Sequence, residues 1–141
     1  MNIPISNLSQ KKQAQLQLSN VIPPMYISIE SYNYESSVKA VVYEIEVGIQ
    51  NNQMVSTHVI HRRFSAMKTF DTQIRSQFGD SHYLLSFPPK TLFPNTSKAF
   101  LEQRSEQLQK YLANLVKIPG LSSSPTFTQF FEIDDSALSD M

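Results

Sequence analysis

The chain has no cysteine among its 141 residues. Without thiols it can form no disulfide, no thiolate metal site and no cysteine nucleophile. It also lacks any run of about 18 apolar residues, the length that a membrane-spanning helix needs. No basic segment followed by an apolar stretch opens the chain, so the pattern of a secretory signal is missing. These absences predict a cytoplasmic chain that neither spans a membrane nor is secreted.

An excess of charge of one sign is missing too. The chain has 12 Lys and Arg against 12 Asp and Glu, which gives a formal net charge of zero. Broad electrostatic adhesion to nucleic acid normally requires a basic excess, so we expect no nucleic-acid partner. An anion-binding site remains compatible with these counts only if its positive charge is concentrated locally.

The residue patterns of catalysis are absent as well. Three glycines in the whole chain are too few for a glycine-rich phosphate loop. His58, His61 and His82 do not have the spacing of metal ligands, and no nucleophile elbow is present. We therefore expect no catalytic residue, no cofactor and no metal site, and a binding function instead of an enzymatic one.

The length of the chain suits a single domain with one modest core. Residues 1–20 are polar and rich in Gln, Ser and Asn, which predicts a flexible N-terminal arm. Residues 134–141, "DDSALSDM", are predicted to form an acidic C-terminal tail. The periodic apolar patterns between them predict a folded domain over residues 21–133.

Three segments have the alternation or the β-branched content of strands. They are "MYISIESYNY" from Met25, "SVKAVVYEIEVGIQ" from Ser37, and "MVSTHVIHRRF" from Met54. A turn signal, "NNQ", separates the second from the third. Consecutive strands with short connections predict a three-stranded antiparallel meander.

The second half of the chain has helical periodicity. Ser65 is a candidate N-cap for a first helix that Gly79 ends, and its apolar positions are Met67, Phe70, Ile74 and Phe78. A Pro-rich loop, "SFPPKTLFPNTSKAF", follows, because its prolines withhold backbone donors. A second helix is predicted from about Ser97 to Lys117, and a short final helix in "SPTFTQFFEI". The expected fold is therefore α+β, with the meander packed against a small helical subdomain.

Two arginines occupy positions that a charge seldom takes. Arg104 falls on the apolar stripe of the second helix, between Leu101 and Leu108. Arg63 ends the third strand, directly before Phe64. Each has an ordinary explanation on its own, because an arginine can extend its stem along apolar surface, pair with an acidic residue, or meet water at a strand end.

The order of these features resembles that of the PX (phox homology) domain. The shared pattern is a meander ending in "RRFS", a helix, a loop with "PPK", and a second helix with an arginine on its apolar stripe. The resemblance covers about residues 23–133, with Met67 where the family commonly has Phe. Met fills similar core space, so this departure leaves the fold assignment intact. The resemblance implies a sorting-nexin-like, phosphoinositide-binding module that targets membranes.

The resemblance also implies a role for individual residues. Arg63 matches the arginine that grips the 3-phosphate, and Phe64 matches the aromatic floor beneath the inositol ring. Lys90 of "PPK" resembles the lysine that meets the 1-phosphate, and Arg104 the arginine that hydrogen-bonds the 4- and 5-hydroxyls. Arg62 is expected to be a solvated or supporting charge. Because all four family positions hold suitable residues, the pattern favours phosphatidylinositol 3-phosphate.

Membrane contact is expected to extend beyond the headgroup. Leu92 and Phe93 lie just after Lys90, in the loop that the resemblance places in the bilayer. Lys98, like Arg62, is a candidate for peripheral contact with anionic lipid. These expectations describe a peripheral protein of endosomal membranes that serves trafficking, sorting or protein transport.

Two alternatives remain open from the sequence. The stretch "FPPKTLFP" is a candidate polyproline ligand for the aromatic groove of a protein partner. A PX domain of different phosphoinositide specificity also fits the pattern.

Overall fold

The computed structural model describes residues 1–91 and 95–134. It contains one antiparallel sheet of four strands in the order β1-β4-β3-β2. The strands are β1 (Asn2–Pro4), β2 (Met25–Glu35), β3 (Ala40–Asn51) and β4 (Met54–Arg63). The predicted meander corresponds to β2, β3 and β4. The α+β fold is thus confirmed, with β1 as a fourth strand that the sequence did not predict.

Within residues 1–91 and 95–134, four α-helices accompany the sheet. They are α1 (Gln10–Leu18), α2 (Phe64–Phe78), α3 (Lys98–Leu115) and α4 (Pro125–Phe130). Short 3-10 turns occupy Ile5–Asn7 and Leu121–Ser123. In the described ranges, no helix combines the length and apolar character that crossing a bilayer requires.

The helix starts are set by local backbone bonding. The side chain of Ser97 accepts a hydrogen bond from the Phe100 N–H at 3.3 Å and so caps α3. Ser65 does not cap α2 as the sequence predicted, because Arg63, with extended backbone, is the N-cap residue and gives no side-chain cap bond. Helix α2 therefore begins directly where β4 ends, and Phe64 is its first residue.

The main core lies between one face of the sheet and the helices α2, α3 and α4. Strand alternation places Tyr43, Ile45 and Val47 of β3 on this face, each with 1% exposure or less. The helices contribute buried apolar side chains at helical spacing, including Phe70, Ile74, Leu108, Tyr111, Leu112, Leu115 and Phe127, and Phe131 follows directly after α4. This core holds the end of β4 and the middle of α3 in fixed positions.

Residues 1–20 differ from the flexible arm that their composition predicted. They form β1 and α1, and β1 pairs with β4 in the register Ile3 opposite Val55. Leu8 and Leu16 are buried against Tyr26 and Val55 on the other face of the sheet. The few apolar residues of this segment pack on the second face of the sheet. The low mean hydropathy of residues 1–20 does not reveal this, because it averages them with many polar residues.

A polar network attaches α1 to the sheet. Lys12 Nζ lies 2.6 Å from Glu46 Oε2 and 2.8 Å from Glu30 Oε1. The Tyr26 hydroxyl donates to Glu46 Oε2 at 2.7 Å. Burial alone would raise the pKa of Glu46, but the hydrogen bonds from Lys12 and Tyr26 together outweigh it, so this pKa lies below its ordinary value. The charged form of Glu46 is therefore part of what holds α1 in place.

Candidate functional site

A pocket of about 420 Å³ lies where β4 passes into α2. Its walls come from the β2–β3 turn, the start of α2, the Pro-rich loop and α3. Residues that line it include Lys39, Tyr43, Arg63, Phe64, Thr91 and Arg104. Of the residues that the sequence predicted for the site, Arg63, Phe64 and Arg104 are brought together here.

Arg104 is held by aromatic rings. Its guanidinium carbon lies 3.8 Å from the centroid of the Phe64 ring and 4.6 Å from that of Phe100. It donates one hydrogen bond, from Nη2 to the Pro89 carbonyl oxygen at 3.2 Å. In the part of the chain that the structure describes, no carboxylate lies within ion-pair distance of it.

Burial lowers the pKa of Arg104, and the nearby Tyr43 opposes this shift. A partly desolvated guanidinium without a counter-ion has unused capacity to bind an anion or a hydroxyl group. Cation–π contact therefore explains the arginine on the apolar stripe better than the ion pair that the sequence left open.

Arg63 is exposed at the N-cap of α2. Among the described residues it makes no hydrogen bond or ion pair through its side chain, so its five donors are available to a ligand. The first backbone N–H groups of α2 add partial positive charge beside it, because a helix N-terminus leaves its amide donors unpaired. Ser65 of that first turn also lines the pocket. This corner of the pocket is suited to an anion.

Phe64 is fixed by a series of ring contacts that reaches the core. Its ring centroid lies 5.3 Å from that of Phe87, which in turn makes an edge contact with Tyr111 at 5.1 Å. The Tyr111 hydroxyl donates to the buried Asp71 Oδ1 at 2.7 Å. Arg75 Nη2 also donates to this oxygen, at 2.7 Å, and its guanidinium is held in α2 by that bond. The floor of the pocket is thus a rigid extension of the core.

Lys90 does not line the pocket, and its side chain is exposed. It follows Pro89, which accepts the hydrogen bond from Arg104, and precedes Thr91, which does line the pocket. The backbone therefore places Lys90 at the pocket rim.

Other predicted contact residues lie elsewhere. Lys98 is exposed at the start of α3, with Nζ 3.9 Å from Glu102 Oε1. Leu92 and Phe93, the predicted insertion residues, lie outside the described residues.

Arg62 serves the opposite side of β4. Its Nη2 donates to the Phe130 carbonyl oxygen at 2.6 Å and to Glu132 Oε2 at 2.9 Å. Its guanidinium also lies 5.0 Å from the centroid of the Phe130 ring. This side chain fastens the C-terminal helix to the sheet, whereas the sequence predicted a solvated or supporting charge beside the lipid site.

Lys39 is a pocket residue that sequence reasoning missed. It lies in the β2–β3 turn with a left-handed backbone, φ 53°, and lines the same pocket as Arg104. Its position in the polar stretch "SSVK" follows no periodic pattern. Only the pairing of β2 with β3 brings this turn to the start of α2.

Comparison with known proteins agrees with this architecture. A family model described as PX domain matches residues 50–134. Human sorting nexin-17 is 43% identical over 68 residues, which cover 48% of this chain and 14% of the relative. Mouse sorting nexin-31 is 37% identical over 71 residues, covering 50% of this chain and 16% of the relative. The chain thus corresponds to a small part of the length of these relatives.

Solved structures match over a larger part of the fold. A designed CISK-PX domain superimposes with a TM-score of 0.62 at 21% identity, covering 75% of this chain and 97% of that one. The mouse SNX19 PX domain with bound sulphate ion superimposes with a TM-score of 0.55 at 18% identity, covering 78% and 95%. Because the family model matches more than half of the chain and these folds agree, the chain belongs to the PX domain family.

Proposed function

We propose that the chain binds phosphoinositide headgroups and uses this binding to attach to membranes. One observation carries the proposal: Arg63 and Arg104 line one pocket, and neither has a carboxylate partner among the described residues. A guanidinium matches phosphate oxygens with two parallel hydrogen bonds, so an unpaired arginine in a concave site is well suited to a phosphomonoester.

The roles within the pocket follow from position and from family resemblance. Arg63 binds the phosphate, since it is exposed and lies beside the N-terminal amides of α2. Arg104 hydrogen-bonds ring hydroxyls, for which its fixed stacking on Phe64 provides orientation. Lys90 contacts the phosphate that joins the headgroup to the lipid, because it lies at the rim and carries a flexible point charge.

The preferred lipid in this proposal is phosphatidylinositol 3-phosphate, and the site of action is the endosomal membrane in trafficking or sorting. In this proposal the 3-phosphate binds Arg63, and the 4- and 5-hydroxyls accept hydrogen bonds from Arg104. Leu92 and Phe93 remain proposed as insertion residues on the strength of the sequence and the family resemblance.

The alternative of a polyproline ligand is less well supported. Phe87 packs between Phe64 and Tyr111, and Pro88 is buried. A partner's aromatic groove would need these residues exposed in an extended polyproline conformation.

Vesicle sedimentation across the phosphoinositide series tests the proposal. We expect binding to vesicles that contain the 3-phosphate and weaker binding to those with the 4- or 5-phosphate. Arg104→Ala should reduce binding, whereas Lys110→Ala, which removes a positive charge from the same helix outside the pocket, should not. Equal binding to all vesicles, or equal loss in the two variants, would overturn the proposal.

A further inference from the structure

A second and larger cleft, of about 800 Å³, lies between α1 and α3 with β2 as its floor. It shares no lining residue with the pocket that contains Arg63. Helix α1, which forms one wall, lies outside the residues that match the PX family model. The cleft is therefore separate from the proposed headgroup site.

The outer edge of β2 is closed to an added strand within this cleft. Ile27 exchanges two hydrogen bonds with the Gln15 side chain, donating to Oε1 at 2.9 Å and accepting from Nε2 at 3.1 Å. Gln109 of α3 accepts from the Ile29 N–H at 2.6 Å and donates to the Ile27 carbonyl at 3.0 Å. An occupant consequently cannot gain backbone bonds here, and one that satisfies its own backbone is favoured.

The cleft has apolar walls and a basic rim. Ala14 and Leu18 of α1 face Ala113 of α3 across it, and Leu18 is 55% exposed. Four lysines line it against two glutamates, namely Lys11, Lys12, Lys110 and Lys117 against Glu30 and Glu106. Lys12 is bound by Glu30 and Glu46, whereas the other three lysines have no ion-pair partner in the described ranges. The rim is therefore locally positive on a chain of zero net charge.

We propose that the cleft between α1 and α3 docks an acidic, amphipathic helix of a partner protein. A helix satisfies its own backbone and can lay an apolar stripe into a groove. Ala14 and Ala113 allow close approach because their side chains are small, and the three free lysines complement carboxylates on the flanks of the helix. An anionic bilayer is a poorer occupant, since a flat surface cannot reach a floor recessed between two helices.

A displayed library of 16-residue amphipathic helices tests this proposal directly. One library carries Leu, Ile or Phe on one face and Asp or Glu on the other, and the matched library carries Lys or Arg on the polar face. We expect enrichment from the acidic library alone. Amide shift changes caused by a selected peptide should map to α1, β2 and α3 in the NMR spectrum of the unaltered chain.

The paired variant Lys110→Glu with Lys117→Glu should weaken the selected peptide at least tenfold. The matched control, Lys68→Glu with Lys98→Glu, changes the net charge equally outside the cleft and should leave affinity within twofold. Binding of soluble phosphatidylinositol 3-phosphate should stay unchanged in the cleft variant. Enrichment from both libraries, shift changes elsewhere, equal loss in both variants, or displacement of the peptide by phosphatidylserine vesicles would overturn the proposal.

Discussion

Arg62 and Arg63 are neighbours in the chain, yet they belong to different parts of the molecule. Arg62 donates to the Phe130 carbonyl at 2.6 Å, while Arg63 lines the pocket beside Phe64. Successive side chains of a strand point to opposite faces, so this division follows from the strand geometry of β4. The pair therefore combines one residue for folding with one that is available to a ligand.

Arg63→Ala should consequently affect headgroup binding, whereas Arg62→Ala should affect the stability of the fold. Arg63→Ala should abolish most headgroup binding with little change in thermal stability, because its side chain makes no described contact. Arg62→Ala should lower the free energy of unfolding by about 1.5 kcal/mol, since it leaves the Phe130 carbonyl without its donor. Calorimetric titration with soluble phosphatidylinositol 3-phosphate and thermal unfolding separate these effects.

The two variants are controls for each other, because each removes one positive charge. A large fall in the melting temperature of Arg63→Ala would assign this residue to the fold instead. Unchanged stability of Arg62→Ala would mean that its bonds to the C-terminal segment contribute nothing.

Lys39→Gly should weaken binding of the soluble headgroup about two- to fivefold, the range expected for one exposed charge contact. Glycine is the suitable replacement because it adopts the positive φ of this turn without strain. Calorimetric titration measures the change. The control is Lys11→Ala, which removes a lysine outside the pocket. Lys68→Gly would be a poorer control, because glycine would disturb α2. Unaltered affinity would show that Lys39 lines the pocket without contacting the ligand.

Replacing Leu92 and Phe93 together with Ser should weaken vesicle binding and spare binding of a soluble short-chain lipid. Only a bilayer offers hydrocarbon in which these side chains can be buried, at roughly 1.5–3 kcal/mol each. Sedimentation and calorimetric titration of the same variant give the comparison. Parallel loss in both measurements would place the two residues in the pocket or in the core.

Acid should weaken the docking of α1 through Glu46. Its pKa is lowered in the folded chain, so its stabilising effect is present above the ordinary value of 4.5 and is lost as the pH falls through the folded value. Glu46→Gln should be less stable than the unaltered chain at neutral pH, and this difference should shrink as the pH falls below 4.5. Thermal unfolding of both proteins over this range measures it, and a difference independent of pH would contradict the role given to the charge.

Asp71→Ala should destabilise the fold by about 2–3 kcal/mol, because it leaves the buried hydroxyl of Tyr111 and part of Arg75 without an acceptor. Tyr111→Phe is the matched variant and should cost about 1 kcal/mol, since Asp71 keeps its bond to Arg75. Denaturant unfolding gives both values. An equal loss of unfolding free energy in the two variants would indicate that the stabilising contact of Asp71 is with Tyr111 and not with Arg75.

The long elements could be predicted from the sequence because each carries its own periodic signal. Strands β2 to β4 alternate over ten or more residues, and α2 and α3 repeat apolar residues at helical spacing. Strand β1 and helix α1 gave no comparable signal. Their stability depends on distant partners such as Val55 and Glu46, so no local window contains the cause.

By itself, the sequence determined the α+β class and the order of the elements from β2 to α4, whereas Arg63, Phe64 and Arg104 were assigned to one site by the family resemblance. Residue type and spacing suffice for the elements, since strand and helix periods place side chains on defined faces. The tertiary structure alone decided that Arg62 binds the C-terminal segment, that Lys39 joins the pocket, and that α1 and α3 enclose a basic cleft. These are contacts between residues far apart in the chain, and only the packing of the sheet against its helices brings them together.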